Sequence, residues 1–440
     1  MVTAFESVLT YKRDIALVSQ LAESLNKDCQ CIAVDNKALH RSLEAHLSEP
    51  GLSEKLLDSH LFAQSPVFLS DSHVQTMKQI ITAIESVIQT QEFQREISTL
   101  MPDIARHNFG PRGVFFGYDF HLAAEGPKLI EINTNAGGVL LNLYLADAQR
   151  EGCTDIKSIF SGKTNVVDIE HQLISMFQEE WSLQRPDQSL KTIAIVDNHP
   201  QTQFLYPEFL LFQSLFERHG FRSIIADPKN FDIRDDALYC GDTRIDLVYN
   251  RLTSFYLESA ECSTLNTAYK NGIAVFTPSP HDYALYADKR NLTLLSDFSR
   301  LRQMGVGAPT IEILQRSLPL CVMVTPENAE SLWNSRKHYF FKPINGYASR
   351  GAYRGAKLTK RVWAEIINSE YIAQQLIPPS ERVLMIDGEK QSLKVDIRCV
   401  AYKGEVQQMS ARLYQGQTTN LRTKGGGLAT VFSTDSGSCC

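Results

Sequence analysis

The sequence predicts a mixed fold, in which an α/β unit built on a parallel sheet lies between helical and α+β segments. Strand-like runs alternate with a helical run between residues 191 and 280, the pattern of a small, mostly parallel sheet. In the first quarter, apolar residues recur every three or four positions, which predicts amphipathic helices. A helix, a strand, a second helix and a terminal set of strands follow. We therefore divide the chain into residues 1–105, 106–185, 190–285 and 286–440.

The composition is that of a globular chain with small-molecule partners. Its 440 residues are 43% hydrophobic, enough for a substantial core. Lys and Arg number 44 against 50 Asp and Glu, so the net charge of −6 predicts no basic field for nucleic acid or anionic lipid. The N-terminal residues have neither the apolar block of a signal peptide nor a membrane span. We expect a cytoplasmic protein without nucleic-acid or membrane partners, and leave open whether it forms a homodimer.

Two strand-like runs, VFFGYDF and KLIEIN, flank the turn-prone segment AAEGP and predict a hairpin. A turn centred on Glu125 places Asp119 opposite Glu131, and Asn133 shares the face of Glu131. Facing carboxylates repel each other unless a cation lies between them or one is protonated, and Mg²⁺ is the natural oxygen-preferring cation. The small-residue loop 134–138 then allows a ligand to approach the backbone. The alternative is a solvated hairpin face.

A second pattern, FFKPINGYASRGAYRG, predicts a strand that ends at Lys342 and enters a loop punctuated by Gly346, Gly351 and Gly355. Glycines let backbone N–H groups turn towards phosphate, and a lysine on the strand adds a point charge. The loop is not a Walker loop, because GxxxxGK[ST] is absent. The alternative is a plain flexible hairpin.

A third pattern places Asp396 and Arg398 on one face of a strand. A three-residue loop at Tyr402–Gly404 brings Arg412 to the same face, whereas a two-residue loop points it away. On that face, the two arginines are suited to neutralise an acyl phosphate and a transferred phosphoryl group, and Asn420 is suited to add a polar contact. The alternative is a surface Asp–Arg pair beside a glycine hinge.

Together these segments resemble the ATP-grasp ligases, in an order similar to a circularly permuted member such as eukaryotic-type glutathione synthetase. ADKRNLTLLSDFSRLRQMGVGAPT is similar to the family's opening lysine-bearing helix, which implies that Lys289 contacts phosphate. HYFFKPINGYASRG is similar to the second lysine strand and phosphate loop, here with Lys342 and Gly346. Two departures are that Arg290 and Asn291 follow Lys289 without a second lysine, and that the loop is poorer in glycine than in many members.

Three further stretches carry the resemblance. YIAQQLIPPSE resembles the hinge that holds adenine, which implies backbone contacts near Gln375 and Ile377 and a ribose contact from Glu381. Asp396 to Gly427 resembles the family's series of Arg and Asn residues. DLVYNRLTSFY resembles a substrate strand whose arginine and tyrosine, here Arg251 and Tyr256, hold the carboxylate of a peptide substrate; a structural arginine is the alternative.

The resemblance covers residues 113–142 and 191–427. It implies a circularly permuted ATP-grasp fold with an inserted Rossmann-like parallel-sheet domain and an N-terminal helical region. The implied reaction is ligation of a carboxylate to an amine through an acyl phosphate, with ATP and Mg²⁺, on an amino acid or small peptide. The alternatives are a small-molecule kinase and a non-catalytic ATP-binding regulatory protein. The implied site comprises catalytic Arg398, Arg412 and Asn420, and metal-binding Asp119, Glu131 and Asn133.

Overall fold

The computed structural model describes residues 20–29, 36–47, 61–152, 165–346 and 351–434, so much of the predicted helical region before residue 61 lies outside the described residues. Within these ranges, no helix has both the length and the apolar character needed to cross a membrane. The helices are α1 (20–28), α2 (Asn36–Glu44), α3 (Asp71–Ile88), α4 (Gln91–Ser98), α5 (Val139–Gly152), α6 (Val166–Gln184), α7 (Tyr206–Arg218), α8 (Ser263–Lys270), α9 (Arg290–Leu295), α10 (Phe298–Gln303), α11 (Ala308–Ser317), α12 (Ala329–Ser335) and α13 (Lys360–Ile367).

The fold is mixed α/β, and its strands form four sheets. The strands are β1 (Val67–Ser70), β2 (Phe116–Ala123), β3 (Gly126–Asn133), β4 (Thr192–Val196), β5 (Arg222–Ala226), β6 (Phe231–Arg234), β7 (Ala237–Cys240), β8 (Thr243–Ile245), β9 (Leu247–Asn250), β10 (Val275–Thr277), β11 (Cys321–Met323), β12 (Tyr339–Pro343), β13 (Tyr353–Arg354), β14 (Tyr371–Gln375), β15 (Ser380–Ile386), β16 (Glu389–Tyr402), β17 (Glu405–Tyr414) and β18 (Gly427–Thr434).

The largest sheet joins distant parts of the chain in the order β1-β18-β17-β16-β2-β3, with β15 paired to β16. Helix α3 buries Met77, Ile80 and Ile84 in the same apolar core as Ile397 and Leu413 of this sheet. Strand β1 pairs in parallel with β18. The first quarter was predicted to be helical. It is not purely so, because it also supplies an edge strand. A four-residue strand whose partner lies at the other end of the chain leaves no local periodicity to detect.

The parallel sheet predicted between residues 191 and 280 is confirmed. Strands β10, β9, β4 and β5 lie in that order and every pairing is parallel. The helical run predicted within this segment is α7. A three-stranded antiparallel sheet, β6-β7-β8, lies between β5 and β9 along the chain and was not predicted. Because all four parallel strands point the same way, their carboxyl ends form one polar edge.

The lysine-bearing helix predicted after residue 286 is instead two short helices, α9 and α10. The Asp297 side chain accepts a hydrogen bond from the Arg300 N–H and starts α10, which interrupts the helical run. Lys289 stands at the N-cap of α9, so it precedes the helix. The antiparallel sheet β11-β14-β12-β13 follows and carries Lys342 on β12.

Both site hairpins contain a β-bulge, which gives the predicted pairing in the first and the predicted face of Arg412 in the second. In β2–β3, Ala123 pairs with Gly126 across a two-residue turn, and one extra residue, Ile130, restores the pairing of Asp119 with Glu131. In β16–β17, the turn is the two residues Lys403 and Gly404, both at positive φ, and not the predicted three-residue loop Tyr402–Gly404. An extra residue, Gln407, brings Arg412 opposite Asp396.

Candidate functional site

A cleft of about 720 Å³ lies where the seven-stranded sheet meets the antiparallel sheet β11-β14-β12-β13. Strands β2, β3, β16 and β17 supply one wall, and β12 and β14 supply the other. The cleft brings together residues that the sequence predicts to bind nucleotide or metal although they are far apart in the chain. These are Glu131, Lys289, Lys342, Gly346, Gln375 and Ile377.

Two lysines lie against the β3 bulge. The Lys289 ammonium donates to the Gly346 carbonyl at 2.7 Å and lies 3.2 Å from the Glu131 carboxylate. The Lys342 ammonium donates to the Ile130 carbonyl at 2.8 Å. Ile130 is the extra residue of the bulge, so the irregularity that orients Glu131 also supplies the acceptor that positions Lys342.

The charges at this end of the cleft keep Glu131 ionised. Burial alone raises the pKa of Glu131, but the positive charges of Lys289, Lys342 and Arg398 outweigh it and lower the pKa to about 2. Burial also lowers the pKa of Lys342, while Glu131 opposes that shift. The arrangement therefore presents concentrated positive charge beside one ionised carboxylate, an environment suited to a polyphosphate.

Asp119 faces Glu131 but is held by protein cations. Arg398 donates two hydrogen bonds of 2.7 Å to its carboxylate, and Arg412 lies 3.0 Å from one of the carboxylate oxygens. Asn133 donates a further hydrogen bond of 3.0 Å, and the carboxylate is only 2% exposed. The repulsion from Glu131 is thus relieved by arginines of the neighbouring strands, without a metal ion, and metal binding by Asp119 stays a prediction.

The remaining donors fit a magnesium ion shared with phosphate. The Glu131 side chain is 27% exposed, and the Asn133 amide oxygen accepts no hydrogen bond within the described ranges. Mg²⁺ is usually held by one or two carboxylates plus phosphate oxygens, so this pair meets the minimum. Among the residues that the structure describes, no three or more His, Cys, Asp or Glu side chains gather into a metal-binding group. Glu131 and Asn133 therefore do not form a complete metal site by themselves.

His121 links the hinge to β16 and was not singled out from the sequence. One ring nitrogen lies 2.7 Å from the Ile377 carbonyl and the other 2.8 Å from the Asp396 carboxylate. Burial raises the pKa of Asp396, but hydrogen bonding to His121 and the charge of Arg412 hold it well below its usual range, so it is ionised. The ring therefore bridges the Ile377 carbonyl of the hinge and the Asp396 carboxylate of β16. The available signal was that His121 shares the strand face of Asp119.

Two further groups complete the contacts of Asp396. The hydroxyl of Tyr414 donates at 2.9 Å, and Thr419 donates to the other oxygen. Thr419 lines the cleft, whereas the predicted catalytic residue Asn420 is exposed, and its side-chain oxygen accepts from the Arg422 N–H at 3.0 Å. The structure thus places Asn420 in a local loop contact, because the chain turns immediately after Thr419.

Glu381 lies outside the cleft, contrary to its predicted contact with ribose. It is exposed on β15, where it accepts a hydrogen bond of 2.6 Å from Ser392, and it lines a separate cavity beside α1. The Pro378–Pro379 step ends the hinge, and β15 then continues along β16. Of the hinge residues, Gln375 and Ile377 remain in the cleft, and the Ile377 N–H has no hydrogen-bond partner in the described part of the chain.

Arg251 is buried at the polar edge of the parallel sheet. Its guanidinium donates to the Tyr249 hydroxyl at 3.2 Å and to the Ala136 carbonyl at 3.3 Å, and lies 4.0 Å from Glu208. A Cβ on Gly137 would lie 2.8 Å from it, so the glycine allows the loop after β3 to pack on the arginine. The structure thus brings Arg251 to the loop after β3, where its guanidinium already donates hydrogen bonds to protein groups.

Tyr256 does not share these contacts. It is 5% exposed and packs edge-on against Tyr283, with ring centroids 5.2 Å apart. The sequence reasoning missed Asp197 at the same sheet edge as Arg251: burial raises the pKa of Asp197 to about 6, although Arg251 opposes the shift. Its signal was its place immediately after the buried strand TIAIV.

No protein-family model matches the chain, and no curated protein matches its sequence. A solved structure of a glutathione synthetase-like effector from Globodera pallida, in its apo form, is similar with a TM-score of 0.57 and 11% identity, covering 93% of this chain and 100% of that one. A protein from Methylobacillus flagellatus, provisionally described as a gamma-glutamylcysteine synthetase, gives 0.47 and 9%, covering 82% and 88%. The ATP-grasp ligase PsnB with minimal precursor, Mg and ADP gives 0.27 and 13%, covering 56% and 90%.

Of these TM-scores, only the first is high enough to show a shared fold, and that likeness extends over nearly the whole of both chains. The resemblance predicted from the sequence is thereby confirmed at the level of the fold. The chain has a glutathione synthetase-like fold.

Proposed function

We propose that the protein is a Mg²⁺- and ATP-dependent ligase that joins a carboxylate to an amine, with an amino acid or small peptide among its substrates. The observation that carries the proposal is the meeting of Lys289, Lys342 and Glu131 at one end of a cleft whose wall includes the hinge strand β14. Paired lysines beside an ionised carboxylate are suited to hold a polyphosphate with its metal ion, and a backbone hinge is suited to hold a base.

Each group in the cleft has a proposed role. Lys289 and Lys342 bind phosphate oxygens, exchanging their present carbonyl partners for the ligand. The backbone of Gln375 and Ile377 faces the base, held by the His121 bridge. Glu131 and Asn133 would hold Mg²⁺, which supplies charge neutralisation for the phosphates when bound.

In the proposed reaction, a substrate carboxylate oxygen attacks the γ-phosphorus of ATP and the bond to the leaving ADP breaks. The amine nitrogen then attacks the acyl carbon of the acyl phosphate, the carbon–oxygen bond breaks, and inorganic phosphate and a proton leave. The chain assists by positioning and charge, without a protein nucleophile. Arg398 and Arg412, held in place by Asp119, provide positive charge beside the transferred group.

Arg251 and Asp197 carry the proposal for the substrate. They lie at one edge of the parallel sheet with opposite charges, and the charge of Arg251 acts on the Asp197 carboxyl. Opposite charges at one edge suit the carboxylate and ammonium of an amino acid or peptide end. The loop that carries Thr419 extends towards this edge, since Arg422 lies over the Phe204 ring at 5.6 Å. A substrate bound there lies between the edge and the cleft.

The proposed architecture is a circularly permuted ATP-grasp fold with a Rossmann-like insertion. Its support is that the β2–β3 hairpin, which carries the metal strand, comes early in the chain yet pairs with β16. The parallel sheet lies between these two segments in sequence. On this proposal, residues 106–185 and 286–440 build the nucleotide-binding part, and residues 190–285 the inserted domain.

A second candidate is a nucleotide-binding protein without turnover. The observation that favours it is the engagement of Asp119 by Arg398 and Arg412, which leaves one carboxylate for a metal where the sequence predicted two. Such a protein binds ATP yet forms no ADP with any carboxylate.

The test is a phosphate-release assay with Mg²⁺-ATP and paired amino acids and short peptides. The ligase proposal expects ADP and phosphate only when both a carboxylate and an amine are present. Lys342→Met should abolish the signal, while Lys337→Met, at an exposed position beyond the cleft, should retain it. ATP binding without turnover would favour the second candidate. ADP formation without free phosphate would indicate a kinase, and absence of ATP binding would overturn all three.

A further inference from the structure

The Asn345–Gly346 step lies beside the cleft, which Gly346 lines. We propose that it is a site of spontaneous deamidation, at which Asn345 is converted into an aspartyl or isoaspartyl residue. Asn345 is exposed, and its amide makes no hydrogen bond within the described ranges. The N–H of Gly346 likewise has no partner among the described residues, and glycine has no Cβ to block an approach to its nitrogen.

The reaction needs only water. The backbone nitrogen of Gly346 loses its proton and attacks the side-chain carbonyl carbon of Asn345. The bond from that carbon to the amide nitrogen breaks, ammonia leaves, and a five-membered succinimide ring remains. Water then opens the ring at one of its two carbonyl carbons. Opening at one carbonyl gives aspartate, and opening at the other gives isoaspartate, in which the main chain runs through the former side chain.

The sequence contains one other Asn-Gly step, Asn271–Gly272, which serves as an internal comparison. There the Gly272 N–H donates to the Tyr269 carbonyl at 2.9 Å, and the Asn271 N–H donates to Thr267 at 3.1 Å. Arg185 also holds the Gly272 carbonyl. The attacking nitrogen must give up a hydrogen bond and leave a fixed turn, so this step should react more slowly than Asn345–Gly346.

Deamidation at Asn345 alters the charge beside the lysine cluster. The Gly346 carbonyl accepts the Lys289 ammonium at 2.7 Å, and Lys289 lies 3.2 Å from Glu131. A carboxylate at position 345 adds negative charge where the proposed ligand is a polyphosphate. An isoaspartyl linkage also lengthens the main chain by one carbon before Gly346 and moves its carbonyl. Weaker nucleotide binding is the expected consequence, and this part alone rests on the proposed function.

The modification is tested by incubating the full chain at mildly alkaline pH and mapping its peptides by mass spectrometry, with isoaspartate detected by enzymatic methylation. Isoaspartate should accumulate at position 345 well before position 271. Asn345→Gln should remain unmodified at 345, because ring closure through the longer side chain is much slower. Equal rates at the two steps, or no reaction at 345, would overturn the proposal.

The consequence is tested with fresh protein, by calorimetric titration of ATP into wild type, Asn345→Asp and Asn345→Gln. Asn345→Asp should lose about three- to tenfold in affinity, the size expected from one added charge at a partly exposed site, while Asn345→Gln should bind like wild type. Equal affinity of all three would overturn the effect on binding. If fresh wild type does not bind ATP, the proposed function fails. The proposal of deamidation is then still decided by the isoaspartate mapping alone.

Discussion

At the scale of single residues, two carboxylates of one hairpin face have different environments. Glu131 is partly exposed and contacts a lysine, whereas Asp119 is buried between two arginines. A sequence pattern that places acids on one strand face cannot separate them, since the difference comes from Arg398 and Arg412 on strands more than two hundred residues later in the chain. On the proposed function, Asp119 serves mainly stability and Glu131 binds the metal ion.

Substitution of Asp119 should therefore affect mainly stability, and substitution of Glu131 mainly turnover. Asp119→Asn should lower the free energy of unfolding by on the order of 3–5 kcal/mol, because the largely buried guanidinium of Arg398 loses its carboxylate partner, although Arg412 keeps Asp396. Glu131→Gln should cost less stability, since Lys289 retains the Gly346 carbonyl and Lys342 that of Ile130, yet it should abolish Mg²⁺-dependent turnover. Urea denaturation and phosphate release measure the two. A stable Asp119→Asn protein would contradict the assignment.

Several site residues could be predicted because they lie in sequence patterns with a fixed local geometry. Lys342 ends a strand, and Gly346 follows in a loop, so their positions depend on a few neighbouring residues. Glu381 and Asn420 were misplaced because the chain changes direction immediately before them, at Pro379 and Thr419. His121 was missed because its two partners lie in strands and loops distant in sequence.

At the scale of elements, the two bulges decide which side chains reach the cleft. Strand periodicity is two, so a two-residue turn without a bulge would turn Arg412 to the opposite face of the sheet. The existence of both hairpins and the parallel sheet could be predicted from apolar runs and turn residues. The bulges could not, because an extra residue in a strand has no distinctive composition, and the correct face for Arg412 was predicted from the wrong turn length.

Deletion of Gln407 should remove the β17 bulge and disrupt the pairing of Asp396 with Arg412. We expect loss of nucleotide binding, measured by titration calorimetry, together with a lower melting temperature. Gln407→Ala keeps the residue count and should retain both properties. Normal binding by the deletion variant would show that the bulge does not set the register.

A buried arginine of β15 contributes to the attachment of helix α1, beside the two hydrogen bonds between Asn26 and the Phe68 backbone. Arg382 of β15 is fully buried and donates to backbone carbonyls of residues 25, 26, 29, 66 and 383, three of them at the C-terminal end of α1. A cation there also complements the negative end of the helix. The helix is therefore attached to the large sheet through hydrogen bonds that a neutral side chain cannot replace.

Arg382→Met should release α1 and cost on the order of 3 kcal/mol, because several buried carbonyls lose their partner. Hydrogen exchange over residues 20–28 should become faster. Arg361→Met, at a side chain that is 90% exposed, is the matched control and should leave exchange unchanged. Unaltered protection of α1 in Arg382→Met would contradict this account.

At the scale of the whole molecule, several buried acids share one direction of pKa shift. Burial, together with nearby Asp282, raises the pKa of Glu180 to about 7, although it accepts hydrogen bonds from Thr277 and from backbone N–H groups. Burial raises the pKa of Asp282 to about 7 and that of Asp197 to about 6. In each case the native state binds protons more tightly than the unfolded chain does.

Stability should therefore fall as the pH rises. Below the ordinary pKa of these acids, near 4, their contribution is fully present, and it is lost as the pH rises through about 6 to 7. The melting temperature should decrease from about pH 5 to about pH 8, and Glu180→Gln should show a smaller decrease. Glu131 and Asp396 act at lower pH, whereas burial lowers the pKa of His73 and His281, which makes stability rise with pH up to about 6.5. The comparison of wild type with Glu180→Gln isolates the effect of the acid, and an equal pH dependence of the two proteins would exclude the assignment.

The parallel pairing of β1 with β18 has a consequence for biosynthesis. Val67 leaves the ribosome early, but its partner Val431 is among the last described residues to be made. During most of translation, β1 therefore has no neighbour in the sheet, and its apolar edge is open to chaperones or to other nascent chains. The large sheet therefore cannot be completed before β18 has left the exit tunnel.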